Sequence, residues 1–283
     1  MIGRVVVAWN GSARAHAALD WAVGRSTTSS VQLLRALGTG GGGFDIEWSC
    51  RMAMEAEAQR VRERRPDVDV EIAVVHEDVE QVLEDAAVPG SLLAIGTGGA
   101  AARLLPHRTA LLARIARSAR GPVVLVPVHR RTTGPVVAAV DATAAGVAAA
   151  GLAAEEAVAQ GESVVLLHVH DGAPDSGWPG GSLDACATEL GDRFPHLLVR
   201  RRIVRGGVGQ EIERAMPEAS MLVLGRHDLR GPGAVIEQDA VHGAPCPVLL
   251  VRALDAESPA GATTTTTTTN TNTTGTVRRT AVG

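Results

Sequence analysis

The sequence predicts an α/β protein made of two doubly wound, open, parallel five-stranded sheets, and three observations carry that prediction. Short runs rich in Val, Leu and Ile alternate with Ala-rich stretches of helical period, the runs come in a set of five, and the set occurs twice. A run that is apolar at every position, rather than at alternate ones, reads as a strand covered on both faces, as parallel sheets flanked by helices require. Strand and helix in alternation is the pattern of right-handed crossovers in a doubly wound sheet.

In the first copy the strand-like runs are 4–9, 31–37, 70–75, 91–95 and 122–128. Ser12 stands where it can cap a first helix whose inner face carries Ala15, Leu19, Ala22 and Val23. Val79, Val82, Leu83 and Ala86 recur at helical spacing, as do Leu111, Leu112, Ile115 and Ala119. Pro127 in the last run cannot donate to a ladder, which predicts that this strand is an edge. The second copy follows by alignment. Val5 to Ser12 returns as Val136 to Thr143, and Val31 to Arg35 as Val164 to His168. Val74 to Gly96 falls without a gap on Ile203 to Gly225, and Gly121 to Val126 on Cys246 to Val251. A repeat of domain size decides architecture before any local reading does.

These landmarks divide the chain into domain one (1–129), domain two (134–253) and a tail (254–283), with a polar join ending in Gly134-Pro135. Two domains are also what 283 residues suggest at roughly 150 per domain. The tail holds seven consecutive threonines, Thr263 to Thr269, and nothing that can build a core, so it is read as disordered. Asn272-Thr273-Thr274 fits a glycosylation acceptor, which without an export signal reads as chance.

Composition narrows the function. The net charge of −4 and six aromatic residues argue against a nucleic-acid binder, which needs a basic face and stacking rings. All 27 basic residues are Arg, a compositional bias rather than a chemical signature. Cys50, Cys186 and Cys246 lie far apart without CxxC spacing, which argues against a disulfide framework or zinc module. No signal peptide precedes the first strand and no apolar run suits a membrane span, so the expected compartment is the cytoplasm.

In an open parallel sheet, ligands bind outside the carboxyl ends of the strands. That rule selects Asn10-Gly11-Ser12, Leu37-Gly38 and Gly96-Thr97-Gly98-Gly99 in the first copy, with Thr109-Ala110 ten residues on where a helix begins. Glycines after a strand let backbone N–H groups approach phosphate, and a helix N-terminus adds donors.

Here the sequence resembles the universal stress protein family. Members carry a first strand ending in Asp-Gly-Ser, a helix ending in Trp-Ala, a fourth strand followed by G-x2-G-x9-G-[ST], and a Pro-Cys-Pro-Val lead into the last strand. This chain has Asn10-Gly11-Ser12 with Trp21-Ala22, Asp141 with Leu152-Ala153 at the same separation of eleven, and Pro245-Cys246-Pro247-Val248. The resemblance covers about residues 3–128 and 135–252. It implies strand order 3-2-1-4-5, a stress-response role, domains pairing through their last strands, and an adenine-nucleotide site where the motif is kept. Carried over, Asn10 takes the nucleoside-contacting position, Leu37 the adenine, and Gly96 and Gly99 the first glycine pair. Thr109-Ala110 replace Gly-[ST], and Asn10 replaces the carboxylate, so half the motif is present. Two readings of Gly96 and Gly99 stand side by side: an ATP-binding phosphate cradle in domain one, or glycines that shape a turn. In domain two Asp228 stands at the second glycine and Ala234-Val235 at Gly-[ST], and an aspartate there repels phosphate; Asp141 is kept, and reads more simply as a cap.

Other patterns are weaker. Gly38-x-Gly40-x-x-Gly43 matches a dinucleotide fingerprint but lies in a near-continuous glycine run, a flexible loop. His168, His170, His227 and Asp228 gather at one sheet edge, which makes a metal-binding sensor in domain two a third reading. Arg200-Arg201-Arg202 and Arg62-Glu63-Arg64-Arg65 read as solvated charge. No nucleophilic triad assembles from spacing. The expectation is a tandem protein acting by binding and protein contact rather than catalysis, with degenerate nucleotide sites; the alternative is an ATP-binding switch or weak ATPase in domain one.

Overall fold

Wholly apolar strands need cover on both faces, and the computed structural model supplies it with helices on each side of a single continuous sheet. The structure describes residues 2–40, 43–98, 111–112, 114–115, 118–141, 143–170, 180–226 and 244–253. The first half runs β1 (Arg4–Ala8), α1 (Ala13–Gly24), β2 (Ser30–Ala36), α2 (Phe44–Arg64), β3 (Asp69–Val75), α3 (Val79–Ala86), β4 (Ser91–Thr97) and β5 (Val123–Pro127). The second runs β6 (Val136–Ala139), α4 (Ala144–Gln160), β7 (Val164–His170), α5 (Gly180–Arg193), β8 (Val199–Arg205), α6 (Val208–Ala215), β9 (Met221–Arg226) and β10 (Val248–Arg252).

Each half has the strand order 3-2-1-4-5, all parallel, and the two meet edge to edge: β3-β2-β1-β4-β5-β10-β9-β6-β7-β8. The two five-stranded sheets of the sequence reading are therefore one ten-stranded sheet. The join is the antiparallel pair β5–β10, with Leu125 opposite Val248, Val124 opposite Leu249 and Val123 opposite Leu250. Residues Val123 to Pro127 are buried throughout, and an apolar edge with free N–H and C=O groups is a liability that pairing removes. This corrects the expectation that Pro127 marks an edge. Pro127 is tolerated because it stands beyond the last β5–β10 pair, where no N–H is called for.

Residues aligned by sequence occupy equivalent ladder positions. Val5 pairs Val31 and Leu92 in one half, and Val136 pairs Val164 and Met221 in the other. Leu93 pairs Val123 as Leu222 pairs Val248. Alternation sorts the side chains into two layers. Val5, Val7, Val124, Val136 and Leu249 face α1, α2, α4 and α5; Val6, Leu93, Leu125, Leu222 and Leu250 face α3, α6 and the helical residues around Ile115. A buried Leu or Val contributes about 1.5–3 kcal/mol, more than the roughly 0.5–1.5 kcal/mol net of one hydrogen bond, so the two apolar faces decide the register.

Small residues bring helices close. The inner face of α4 is Ala149, Ala150, Ala153, Ala154 and Ala157, all fully buried, and it terminates at Gly161 in the left-handed region. β8 forms one sheet edge, with Arg200, Arg201 and Arg202 exposed, and such charge blunts edge-to-edge aggregation. Arg62, Arg64 and Arg65 pair with Glu55, Asp20 and Asp67. Cys50, Cys186 and Cys246 are free thiols. Among the described residues no helix is long and apolar enough to cross a membrane. The tail, 254–283, lies outside the described residues.

Candidate functional site

The carboxyl ends of β1, β2 and β4 converge on the first turn of α1, and the predicted residues there prove to be engaged with one another. Ser12 is the N-cap of α1, its Oγ accepting the Ala15 N–H at 3.3 Å. Asn10 stands two residues earlier and its Oδ1 accepts both the Ser12 N–H at 3.1 Å and the Ser12 hydroxyl at 2.6 Å. The carboxamide thus orients the cap, and Ser12 Oγ spends its proton on Asn10. Gly11 between them has φ +72° with open space around it, a conformation glycine adopts without strain.

The second half repeats this arrangement. Asp141 Oδ1 accepts the Thr143 N–H at 3.1 Å and the Thr143 hydroxyl at 2.6 Å, and Thr143 Oγ1 caps α4 through the Gly146 N–H at 3.2 Å. A two-residue Asx turn feeding a hydroxyl cap satisfies helix-end donors that otherwise face solvent. The amide and carboxylate therefore do the same local work in both halves.

Gly96 lies within β4 rather than after it, against the first turn of α1: a Cβ built on Gly96 collides with the Arg14 carbonyl. Its equivalent Gly225 meets Ala145 of α4 in the same way, at 2.6 Å. Both glycines let a strand end touch a helix start, a packing requirement that the phosphate-cradle and turn readings both omitted. Leu37 donates its backbone N–H to Val75 O at 2.9 Å, so that donor closes the β2–β3 end. Gly99, Thr109 and Ala110 lie outside the described residues, as do His227, Asp228, Ala234 and Val235.

The structure adds side chains that spacing did not connect. His16, one turn into α1, places Nδ1 2.9 Å from the Ser12 carbonyl and Nε2 2.7 Å from Glu57 of α2, with Trp9 edge-on at 4.7 Å. Glu57 is buried, and Arg60 pairs with it as well. Ser12, His16 and Glu57 are thus neighbours, yet His16 meets the serine carbonyl instead of its hydroxyl. Ser12 Oγ gives its proton to Asn10 Oδ1 instead. At the adjoining corner His76 bonds Glu47 at 2.9 Å; that hydrogen bond, helped by Arg51, holds the Glu47 carboxyl below its usual range. Phe44 and Trp48 stack at 6.2 Å on the exposed side of α2. Their i, i+4 spacing was legible in a chain with six aromatics; the His16–Glu57 contact, spanning two helices, was not.

In the second half the His168 and His170 rings stack at 6.5 Å, and His168 Nδ1 lies 3.1 Å from the Val140 carbonyl. Among the described residues no group of three or more His, Cys, Asp or Glu could hold a metal ion.

Residues 132–252 match the model of the Universal stress protein family. Among curated proteins none matches the chain. A universal stress protein from Archaeoglobus fulgidus is similar in structure, with TM-score 0.70 at 13% identity, over 88% of this chain and 96% of that one. A protein of unknown function from Pseudomonas aeruginosa PAO1 aligns over 90% of this chain and 94% of its own, with TM-score 0.61 at 16% identity. At those identities the likeness is one of fold.

Proposed function

Because residues 132–252 match the model of the universal stress protein family, we propose that the whole chain is a tandem universal stress protein, its first half a diverged second copy, acting by binding and protein contact rather than by catalysis. The matching strand orders and ladder registers support the tandem reading. In this proposal both nucleotide sites are degenerate and the protein serves a stress response as a soluble cytoplasmic scaffold. One observation carries it: the position that contacts the nucleoside in the family is occupied by Asn10 and Asp141, and each takes two hydrogen bonds from its own cap residue.

The alternative is ATP binding by the first half as a switch. It is favoured by the open space at Gly11 and Gly38, both with positive φ at the ligand edge of the sheet. Mass spectrometry of nucleotide released from protein purified without added ATP, with calorimetric titration of Mg-ATP into wild type and Gly99→Asp, separates the two. No nucleotide and no heat supports degenerate sites. Stoichiometric ATP, or micromolar affinity abolished by Gly99→Asp, overturns them and places the switch in the first half.

A further inference from the structure

The β5–β10 join has an internal two-fold symmetry. Val124 and Leu249 are equivalent by alignment and face each other, while Val123↔Leu250 and Leu125↔Val248 exchange under the same rotation. A pseudo-two-fold axis therefore passes through the Val124–Leu249 pair. Both side chains lie in the layer that faces α1 and α4, the helices on either side of the axis.

In that layer Arg25, the C-cap of α1, meets Glu156 of α4. The two are separated by 131 residues, the offset that relates β1 with α1 to β6 with α4, so they are equivalent positions facing each other across the axis. The pair is bidentate: Nε bonds Oε2 at 3.0 Å, and NH2 bonds Oε1. The pair is only 5% exposed on each side. The first half prepares the guanidinium's seat, with the Ile2 carbonyl and the Thr28 hydroxyl each 3.4 Å from NH1 and the Trp21 ring 5.2 Å away. Ser26 Oγ donates to the Ala159 carbonyl at 2.9 Å beside it.

A two-fold axis sets a position against its own equivalent. Were two first halves to pair in this way, Arg25 would face Arg25; two second halves would bury Glu156 against Glu156. Like charges this deep are costly, whereas the complementary pair is satisfied on both sides. Buried ion pairs add little net stability over apolar residues, and their best-attested use is to select register and partner.

We propose that Arg25–Glu156 is a pairing code on the pseudo-dyad: it fits the first half to the second half and makes each half reject a second copy of itself. The inference is independent of whether nucleotide binds.

The test uses the full chain in four forms: wild type, Arg25→Glu, the swap Arg25→Glu with Glu156→Arg, and Arg25→Leu with Glu156→Leu. A like-charged buried pair lowers the unfolding midpoint of Arg25→Glu by on the order of 10 °C. The swap recovers at least half of that loss, and the apolar pair stays within about 4 °C of wild type. A swap as unstable as the single variant overturns the pairing. For selectivity, a protease site placed within 129–135 is cut in the folded protein and the halves are analysed by native mass spectrometry. Nicked wild type is expected as one-to-two pairs alone, and the nicked Leu–Leu variant as a mixture that includes like-with-like pairs. Like pairs or separated halves from wild type, or no like pairs from Leu–Leu, overturn the code.

Discussion

Gly225→Ala tests whether the glycine at the end of the fourth strand of each half exists for packing. The added Cβ would fall 2.6 Å from the carbonyl carbon and oxygen of Ala145 and 2.9 Å from Gly146 N, against an ordinary contact starting near 3.4 Å. β9 and the first turn of α4 must separate by about 0.8 Å to admit it, and since every obstacle is backbone, no rotamer change relieves the clash. The shift propagates into α4, whose fully buried alanines leave no slack against the sheet. Overpacking of this kind costs about 1–3 kcal/mol, and we expect about 2 kcal/mol for Gly225→Ala and about 3 kcal/mol for Gly96→Ala, where the collision with Arg14 is tighter. Urea unfolding followed by circular dichroism should show a lowered midpoint with unchanged slope. Thermal midpoints should fall by about 4–8 °C and 6–12 °C respectively. The comparison also separates two roles for Gly96: a glycine serving only a ligand leaves apo stability intact when replaced. Two alanine variants within about 0.5 kcal/mol of wild type, both without ligand, would refute the packing argument.

Four further outcomes follow from the caps and the thiols. Ser12→Ala and Thr143→Ala each remove a cap acceptor and should cost about 1 kcal/mol in urea unfolding, and no change in either would refute the cap assignment. Asn10→Asp places a carboxylate where Asp141 already stands, at the positive end of α1; it should stabilise by about 0.3–1 kcal/mol at pH 7 and lose that gain below about pH 4 as the carboxylate takes up a proton. Destabilisation at pH 7 would count against it. Burial pushes the Cys246 thiol up to about 12 from its usual 9.0. The folded protein then keeps a proton that the unfolded chain releases, so this contribution is complete below pH 9 and declines as pH rises toward 12, by up to about 1.4 kcal/mol per pH unit. Stability measured at pH 8 and pH 10.5 should fall less in Cys246→Ala than in wild type; equal losses would refute the assignment. At neutral pH a thiol reagent should label Cys50 first, because Cys186 and Cys246 are buried.

The sequence by itself determined the strands and their order of appearance, because runs such as Val5-Val6-Val7 and Leu222-Val223-Leu224 can be satisfied only between two helical layers. Local chemistry was equally legible: Asn10-Gly11-Ser12 and Asp141 with Thr143 close within three residues, so their caps needed no distant partner. What only the tertiary structure decided involves residues far apart in the chain. Pro127 looked like an edge residue because the missing N–H says nothing of where the neighbouring ladder stops. Gly96 looked like a loop glycine because its collision partner, the Arg14 carbonyl, is backbone and leaves no pattern in side chains. His16 and Glu57 belong to different helices, and Arg25 and Glu156 to different halves, so their contact depends on how those elements pack. Periodicity encodes which face of an element is buried; it does not encode which equivalent positions an axis of symmetry brings together, and here that axis sets an arginine against a glutamate.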